Sequence, residues 1–202
     1  MIPPDKITNY YSLSDHPFQN LSELAPDERT AVLEELRTRK AQNPAFKRVF
    51  GSAYMEFRRR TEAKLHAMFK DRGGKPERKS PHYFVLGTCE WFAGLYPDPE
   101  TVTLDWRSLP REIVSFTYPD SFVSMRFGPE YGLPVEPLQP YHERVFLADE
   151  ILDVVAEYGL PDGGPDEPYS DYHKRKFEKY IECQLWSDAP VAKFLKHSSS
   201  SP

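Results

Sequence analysis

Two kinds of apolar spacing divide this chain, and their order limits the possible folds more than any other feature. Between residues 26 and 71 the apolar side chains recur every three or four positions, which is typical of amphipathic helices. After Ser80 the apolar runs are short and aromatic or β-branched, and fourteen of the twenty prolines fall there, so we expect strands joined by turns. Patterns segregated in this way are typical of α+β proteins with a mostly antiparallel sheet.

Two helices are predicted before the sheet and two after it. The first extends from about Pro26 to Gln42, because proline suits the first turn of a helix and basic residues suit its last turn. The second extends from about Ser52 to Asp71 and ends at Gly73-Gly74. Of the two C-terminal helices, one is capped by Asp149. The other begins at Ser170 and is expected to carry Phe177, Ile181 and Leu185 on its inner face.

The segment between these helices predicts a small sheet. Residues 83–86 are apolar on both faces and are expected inside the sheet, whereas residues 101–106 alternate between apolar and polar. Residues 113–127 contain two aromatic and β-branched runs separated by Pro119-Asp120, a pair typical of turns. We therefore predict an antiparallel hairpin at 113–127. Residues 1–20 have no regular spacing and are expected to be irregular.

Composition predicts one globular domain. A chain of 202 residues, 14% of them aromatic, can bury a substantial core. We expect the domain to comprise residues 1–196, with the serine-rich segment 197–202 as a flexible tail. Cys89 and Cys183 are too few for a disulfide scaffold and suit a reducing, cytoplasmic location. No run of about 20 apolar residues occurs, so we predict a soluble protein without a membrane-spanning segment.

Charge is distributed unevenly along the chain. Residues 47–79 contain eleven Lys or Arg and four Asp or Glu, a formal charge of +7, whereas the whole chain carries −5 and the remainder therefore −12. A basic helix-loop arm on an acidic body predicts a surface that contacts anions. The residues expected to make those contacts are Arg48, Arg58, Arg59, Lys70, Arg72, Lys75, Arg78 and Lys79.

The first functional hypothesis is a non-catalytic binding protein whose basic arm, 47–79, contacts an acidic partner. An acidic protein surface is favoured over nucleic acid, because proteins dedicated to nucleic acid are usually basic as a whole and this chain carries −5. The plainer alternative is a solvated helix face whose charges balance acidic residues elsewhere and carry no function.

The second functional hypothesis is a small hydrolase or transferase acting on an anionic substrate. Cys89 follows a predicted buried strand, where a nucleophile could lie, and His82 or His142 could be its base. A lone cysteine beside Trp91 is more often a small core residue, and no third orienting residue is evident. Because no two histidines stand at i and i+4 and no phosphate-binding glycine loop precedes a helix, we predict no catalytic residue, metal or cofactor.

Overall fold

The computed structural model describes residues 4–48, 50–131, 137–165 and 178–195, and its centre is a six-stranded sheet. Every strand pairing is antiparallel, and the strands lie in the order β3-β1-β2-β6-β4-β5. Their bounds are β1 Lys6–Ser12, β2 His82–Leu86, β3 Pro99–Asp105, β4 Val114–Thr117, β5 Phe146–Leu147 and β6 Glu182–Leu185. The α+β class and the antiparallel sheet are therefore confirmed, and β2 lies inside the sheet between β1 and β6.

The described residues also form six α-helices. They are α1 Pro26–Gln42, α2 Tyr54–Asp71, α3 Glu90–Ala93, α4 Ser121–Ser124, α5 Ile151–Tyr158 and α6 Ala192–Leu195. The bounds of α1 are those predicted, since acidic residues occupy its first turn and basic residues its last. In the part of the chain that the structure describes, no helix has the length and apolar character needed to cross a membrane.

The two faces of the sheet differ in chemistry because successive side chains of a strand point to opposite sides. One face, here called the apolar face, packs against α5 and includes Ile7, Phe84, Leu86, Val114, Phe116, Cys183 and Leu185. The opposite face, here called the polar face, carries Thr8, Tyr83, Val85, Ser115, Thr117, Glu182 and Gln184. The apolar face holds the main core, which leaves the polar face to be covered by other elements.

Helix α2 covers part of the polar face through its C-terminal half. Leu65 and Phe69 are fully buried there and form a second apolar cluster with Met125, Val145 and Trp186. The N-terminal half of the helix lies beside α4, where Phe57 stacks on Phe122 with 4.5 Å between ring centroids. This half borders the open part of the polar face.

The predicted hairpin at 113–127 is wrong. Its first run forms β4, but the chain then continues into α4, because the Asp120 carboxylate accepts hydrogen bonds from the backbone N–H groups of Phe122 (2.9 Å) and Val123 (3.3 Å). Strand β4 pairs instead with β5 and β6, which come later in the sequence.

The predicted arrangement of two helices, a sheet and two helices is also corrected at both ends. Residues 6–12, expected to be irregular, form β1, which pairs along its whole length with β3. The final helix was expected to include Ile181 and Leu185, yet the segment Glu182–Leu185 forms β6. The expected helix start at Ser170 and the tail 197–202 lie outside the described residues. The single domain 1–196 stays a prediction.

Candidate functional site

A cavity of about 840 Å³ lies against the polar face of the sheet. Its volume falls within the roughly 300–1,000 Å³ of typical small-molecule sites. Side chains from β1, β2 and β6 and from the helices α1 to α4 line it together with residues of the neighbouring loops. The strands supply Thr8, Tyr10, Tyr83, Val85 and Glu182, so the cavity has a largely polar floor.

Aromatic rings form one wall of the cavity. Phe92, in α3, contacts the rings of both Tyr10 (5.6 Å between centroids) and Tyr180 (5.5 Å). Trp91 stacks on Tyr180 at 6.2 Å. All four residues line the cavity, so a flat or apolar molecule would meet ring surfaces there.

Arg58 lies in the cavity wall, but its guanidinium already interacts with other side chains of the protein. Its Nε is 2.9 Å from Oε1 of Glu62, and its Nη1 donates a hydrogen bond to the Tyr54 hydroxyl at 2.7 Å. Its guanidinium also lies 4.3 Å from the centre of the Tyr83 ring. Burial opposes the charged form, but the tyrosines and Glu62 outweigh it, so the pKa of Arg58 is raised above its ordinary value.

Glu62, the ion-pair partner of Arg58, is held in place by two further hydrogen bonds. Its carboxylate accepts hydrogen bonds from the Ser80 hydroxyl (2.9 Å) and the Tyr83 hydroxyl (3.1 Å), and the residue is only 4% exposed. The Nε contact is ionic, because the Arg58 N–H is not directed along a hydrogen bond. Arg58 and Glu62 therefore form a neutral, buried pair that fixes the wall.

Arg48 lies in the same cavity but has a different environment. Its guanidinium carbon is 4.8 Å from the centre of the Phe50 ring and 5.2 Å from that of Phe92. No described residue accepts a hydrogen bond from this guanidinium or forms an ion pair with it. The Arg48 guanidinium thus packs against two aromatic rings, and its N–H groups have no protein acceptor in the described part of the chain.

Two carboxyl groups of the cavity lining, Glu182 and Asp120, lie close enough to influence each other electrostatically. Glu182 is 7% exposed and Asp120 is 8% exposed. Burial, and then the Asp120 charge, raise the pKa of Glu182 to about 7, although Ser121, Gln184 and Arg58 favour its ionised form. The pKa of Glu182 therefore lies near neutral pH, which is unusual for a glutamate.

A chain of hydrogen bonds behind the cavity fixes the position of Glu182. The Trp186 indole N–H donates to the Ser115 hydroxyl at 2.8 Å, and this hydroxyl donates to Oε1 of Gln184 at 2.8 Å. The Gln184 amide then donates to Thr117 Oγ1 (3.1 Å) and to Glu182 Oε1 (3.0 Å). All five residues are buried, so the glutamate is held by a satisfied network.

His142 presents a neutral imidazole in the cavity lining. Burial and the nearby Arg126 lower its pKa, and its Nδ1 accepts hydrogen bonds from Arg126 Nη1 (3.0 Å) and the Gln139 backbone N–H (3.2 Å). These donors place the remaining ring hydrogen on Nε2. That nitrogen is buried and has no partner among the described residues.

The cysteine and histidine candidates for catalysis are not brought together. The described lining of the cavity includes His82 and His142 but not Cys89. Burial lowers the pKa of His82 to about 4, and its Nε2 lies 2.8 Å from the Asp188 carboxylate. Burial raises the pKa of Cys89, whose Sγ lies 3.5 Å from the Gly163 carbonyl oxygen. No described histidine forms a hydrogen bond with the Cys89 thiol.

The eight basic residues predicted to contact anions are distributed over several environments. Arg48 and Arg58 line the cavity, whereas Arg59, Lys70, Lys75 and Lys79 are exposed outside its described lining. Arg72 is paired with Glu150, and Arg78 with Glu23 and Asp188. Helix α2 begins at Tyr54, so Arg48 lies outside it and is not on one side of the same helix with Arg59 and Lys70. That these eight contact a partner stays a prediction.

Sequence reasoning missed the carboxyl side of the cavity. Glu182 was assigned to a helix and Asp120 to a turn, so neither was considered as a site residue. A signal for Glu182 was present, because polar Glu182 and Gln184 alternate with apolar Ile181, Cys183 and Leu185, which is the period of a strand. A charged side chain within such a run marks a polar sheet face.

No family model, curated protein sequence or solved structure matches this chain. Among residues 4–48, 50–131, 137–165 and 178–195, no three His, Cys, Asp or Glu side chains are grouped as a metal site would require. The geometry and charges of the cavity are therefore the features of the molecule that bear on its function.

Proposed function

We propose that this protein binds a small organic anion with a flat, ring-containing body inside the cavity on the polar face. The observation that carries the proposal is Arg48. Its guanidinium lines the cavity between two aromatic rings, and none of the described residues supplies an acceptor for it. A carboxylate or phosphate would provide the paired acceptors that a guanidinium fork fits.

The contrast with Arg58 supports Arg48 as the anion contact. Arg58 is neutralised by Glu62 and hydrogen bonded to Tyr54, so a ligand anion would have to displace existing partners. Displacing a buried ion pair costs several kcal/mol. Arg48 offers its donors without that cost. The rings of Trp91, Phe92 and Tyr180 would contact the body of the ligand.

The test is a titration of the purified protein with para-methylbenzoate, a carboxylate attached to a ring. Isothermal calorimetry or NMR measures the binding. Arg48→Gln should weaken binding about tenfold, the factor that 1.4 kcal/mol represents. The matched control is Arg59→Gln, an exposed arginine outside the described cavity lining. Equal binding by the wild type and Arg48→Gln, or equal losses in both variants, would contradict the proposal.

Arg48→Gln should leave the folded protein intact, because its guanidinium lacks ion-pair partners among the described residues. We expect its free energy of unfolding to stay within about 0.5 kcal/mol of the wild type. Chemical denaturation measures this difference. A substantially larger loss would mean that Arg48 is a structural residue and would require a milder variant, Arg48→Lys, for the binding test.

An enzyme acting on an anionic substrate is the second candidate, and His142 is the observation that favours it. This neutral histidine lines the cavity with a buried Nε2 that lacks a partner among the described residues. His142→Gln tests it by separating binding from turnover. If the variant binds a ligand with unchanged affinity but no longer converts it, catalysis by His142 is supported. If the variant only binds more weakly, His142 contacts the ligand without acting as a catalyst.

A protein partner for the basic arm is a separate proposal, supported by the exposure of Arg59, Lys70 and Lys79. The partner would present acidic groups to this surface. The variant Arg59→Glu with Lys70→Glu should reduce the capture of such a partner in a salt-dependent way while leaving para-methylbenzoate binding unchanged. Capture that is insensitive to this double change would exclude the arm.

A further inference from the structure

Strand β3 is an outer strand of the sheet, and one of its two edges has no neighbouring strand. It pairs with β1 on one side, and in the part of the chain that the structure describes no strand pairs with its other side. The opposite end of the described sheet is β5, which has only two residues, whereas β3 has seven. The free edge of β3 is therefore long enough to pair with a further strand.

The hydrogen bonds around β1 show which backbone groups of β3 face outward. The Gly87 N–H donates to the Lys6 carbonyl oxygen at 2.7 Å, so the even-numbered residues of β1 face β2 and its odd-numbered residues face β3. The Leu13 N–H accordingly donates to the Asp98 carbonyl oxygen at 3.2 Å, in the same register as the β1-β3 pairing. The even-numbered residues of β3 therefore bond to β1, and its odd-numbered residues direct their backbone groups to the free edge.

The odd-numbered residues give the free edge a defined order of donors and acceptors. Thr101 and Thr103 are exposed, each presents one N–H and one C=O, and no described residue forms a hydrogen bond with these groups. At one end of the strand, Pro99 has a C=O but no N–H. At the other end, Asp105 has a free N–H, while its C=O already accepts a hydrogen bond from the Ser108 hydroxyl at 2.7 Å.

We propose that a second copy of this chain pairs with this edge, strand β3 against strand β3, antiparallel about a twofold axis at Val102. In this register Thr101 of one copy lies opposite Thr103 of the other, and the two residues exchange both of their hydrogen bonds. Pro99 lies opposite Asp105, whose N–H donates to the Pro99 C=O. The N–H that proline lacks thus falls opposite the carbonyl group that Ser108 already satisfies. The edge is complementary to itself, which favours a second copy over an unrelated peptide.

The side chains of β3 agree with this register. Val102 lies opposite its own copy and Glu100 lies opposite Leu104, so no two carboxylates are directly opposed. The β-branched Thr101 and Thr103 form the remaining cross-strand pairs. Strand β3 contains no lysine, a residue that commonly prevents pairing at exposed edges. The described lining of the cavity includes no residue of β3, so this contact is separate from the proposed ligand site.

The response to salt distinguishes a second copy from a basic peptide. Each copy carries a net charge of −5, so repulsion between the copies opposes pairing, and added salt should strengthen the contact by screening that repulsion. A basic peptide attracted to the same chain would bind more weakly as salt rises. The contact is only one strand long, so we expect the association to be weak.

The first test uses the unmodified chain. Sedimentation velocity from about 10 μM to about 1 mM should show the mass rising from 23.5 kDa toward twice that value. Amide hydrogen exchange measured by NMR over the same range should slow at Thr101 and Thr103 as the concentration rises. Val102 and Leu104 are internal controls, because their N–H groups are bonded to β1 with or without a partner. A chain that stays monomeric, or a dimer in which both threonine amides exchange as fast as in the monomer, would overturn the proposal.

A pair of matched double variants tests the register. Thr101→Lys with Thr103→Lys places lysine opposite lysine in both cross-strand pairs, and the dissociation constant of the dimer should rise at least about tenfold. Thr101→Lys with Thr103→Glu places opposite charges in the same pairs, and this dimer should be at least as tight as that of the wild type. Equal effects of the two double variants would overturn the proposed register and the proposal with it. If a variant does not fold, the exchange measurement on the unmodified chain still decides.

Discussion

The two faces of the sheet are formed by the same strands, but different interactions stabilise the side chains on each face. On the apolar face, residues such as Phe116 and Leu185 are fully buried against α5 and its neighbours. On the polar face, Glu182 and Gln184 are also buried, yet they depend on hydrogen bonds and charge balance. Contacts of the first kind have no direction, whereas those of the second kind require particular partners. The comparison separates stability from specificity within one sheet.

The largest effect is expected on the apolar face. Phe116→Ala removes a fully buried ring from β4 and leaves a space that its neighbours fill only in part. We expect the free energy of unfolding to fall by about 3–5 kcal/mol, as measured by denaturant titration. Ligand binding by the molecules that remain folded should be unchanged. A loss below about 1 kcal/mol would show that this face is not the main core.

A somewhat smaller loss is expected from Glu62→Ala beside the polar face. This change leaves the buried Arg58 guanidinium without its counter-charge and should cost about 3 kcal/mol. The double variant Arg58→Met with Glu62→Leu should recover most of that loss, because it removes both charges and keeps apolar volume. A double variant no more stable than Glu62→Ala would show that the pair contributes through its hydrogen bonds.

The smallest of these effects on folding is the pH dependence that Glu182 contributes. Its pKa is raised to about 7 in the folded protein, so between about pH 4.5 and 7 the native state holds this proton more tightly than the unfolded chain does. The contribution of Glu182 to the free energy of unfolding therefore decreases as the pH rises through this window, by about 2–3 kcal/mol. Glu182→Gln should not show this decrease.

The measurement is the difference in unfolding free energy between the wild type and Glu182→Gln at several pH values. The difference isolates Glu182, because His82 and His142, whose pKa values are lowered by burial, are present in both proteins. A difference that is constant from pH 4.5 to 8 would contradict the raised pKa.

Elements with local signals were predicted well from the sequence. The first helix, Pro26–Gln42, has its proline, its acidic first turn and its basic last turn within its own bounds, so nothing distant is needed to define it. Strand β2 was likewise marked by a short run that is apolar on both faces. The α+β class followed from the order of such local patterns.

Elements defined by distant partners were not predicted. A spacing of four, as between Ile181 and Leu185, places side chains on one side of a helix and also on one side of a strand, so this spacing alone allowed the helix assignment. The alternation of Glu182 and Gln184 with apolar residues was the signal that favoured a strand. Residues 119–120 were interpreted as a hairpin turn. Asp120 instead caps α4 through a hydrogen bond to the backbone, and the spacing of apolar residues does not reveal such a bond. Strand β1 pairs with β3, which lies far along the chain.

The same limit applies to the cavity. Arg48 and Arg58 were both chosen for their charge, but Arg58 has acceptors and a counter-ion nearby, and Arg48 lacks them in the described structure. That difference depends on which residues fold next to each guanidinium, and a charge count does not contain it. Glu182 was missed because its assignment followed from the error over β6.

The strict alternation of β6 determines which kinds of genetic change this protein can accept. Substitutions within the strand alter one side chain and one face. A single inserted or deleted codon near its start would instead shift the register, turning Glu182 and Gln184 toward the apolar core and Cys183 and Leu185 toward the cavity. We therefore expect length variation among descendants of this sequence to accumulate in the connecting loops and to spare the segment from Tyr180 to Trp186.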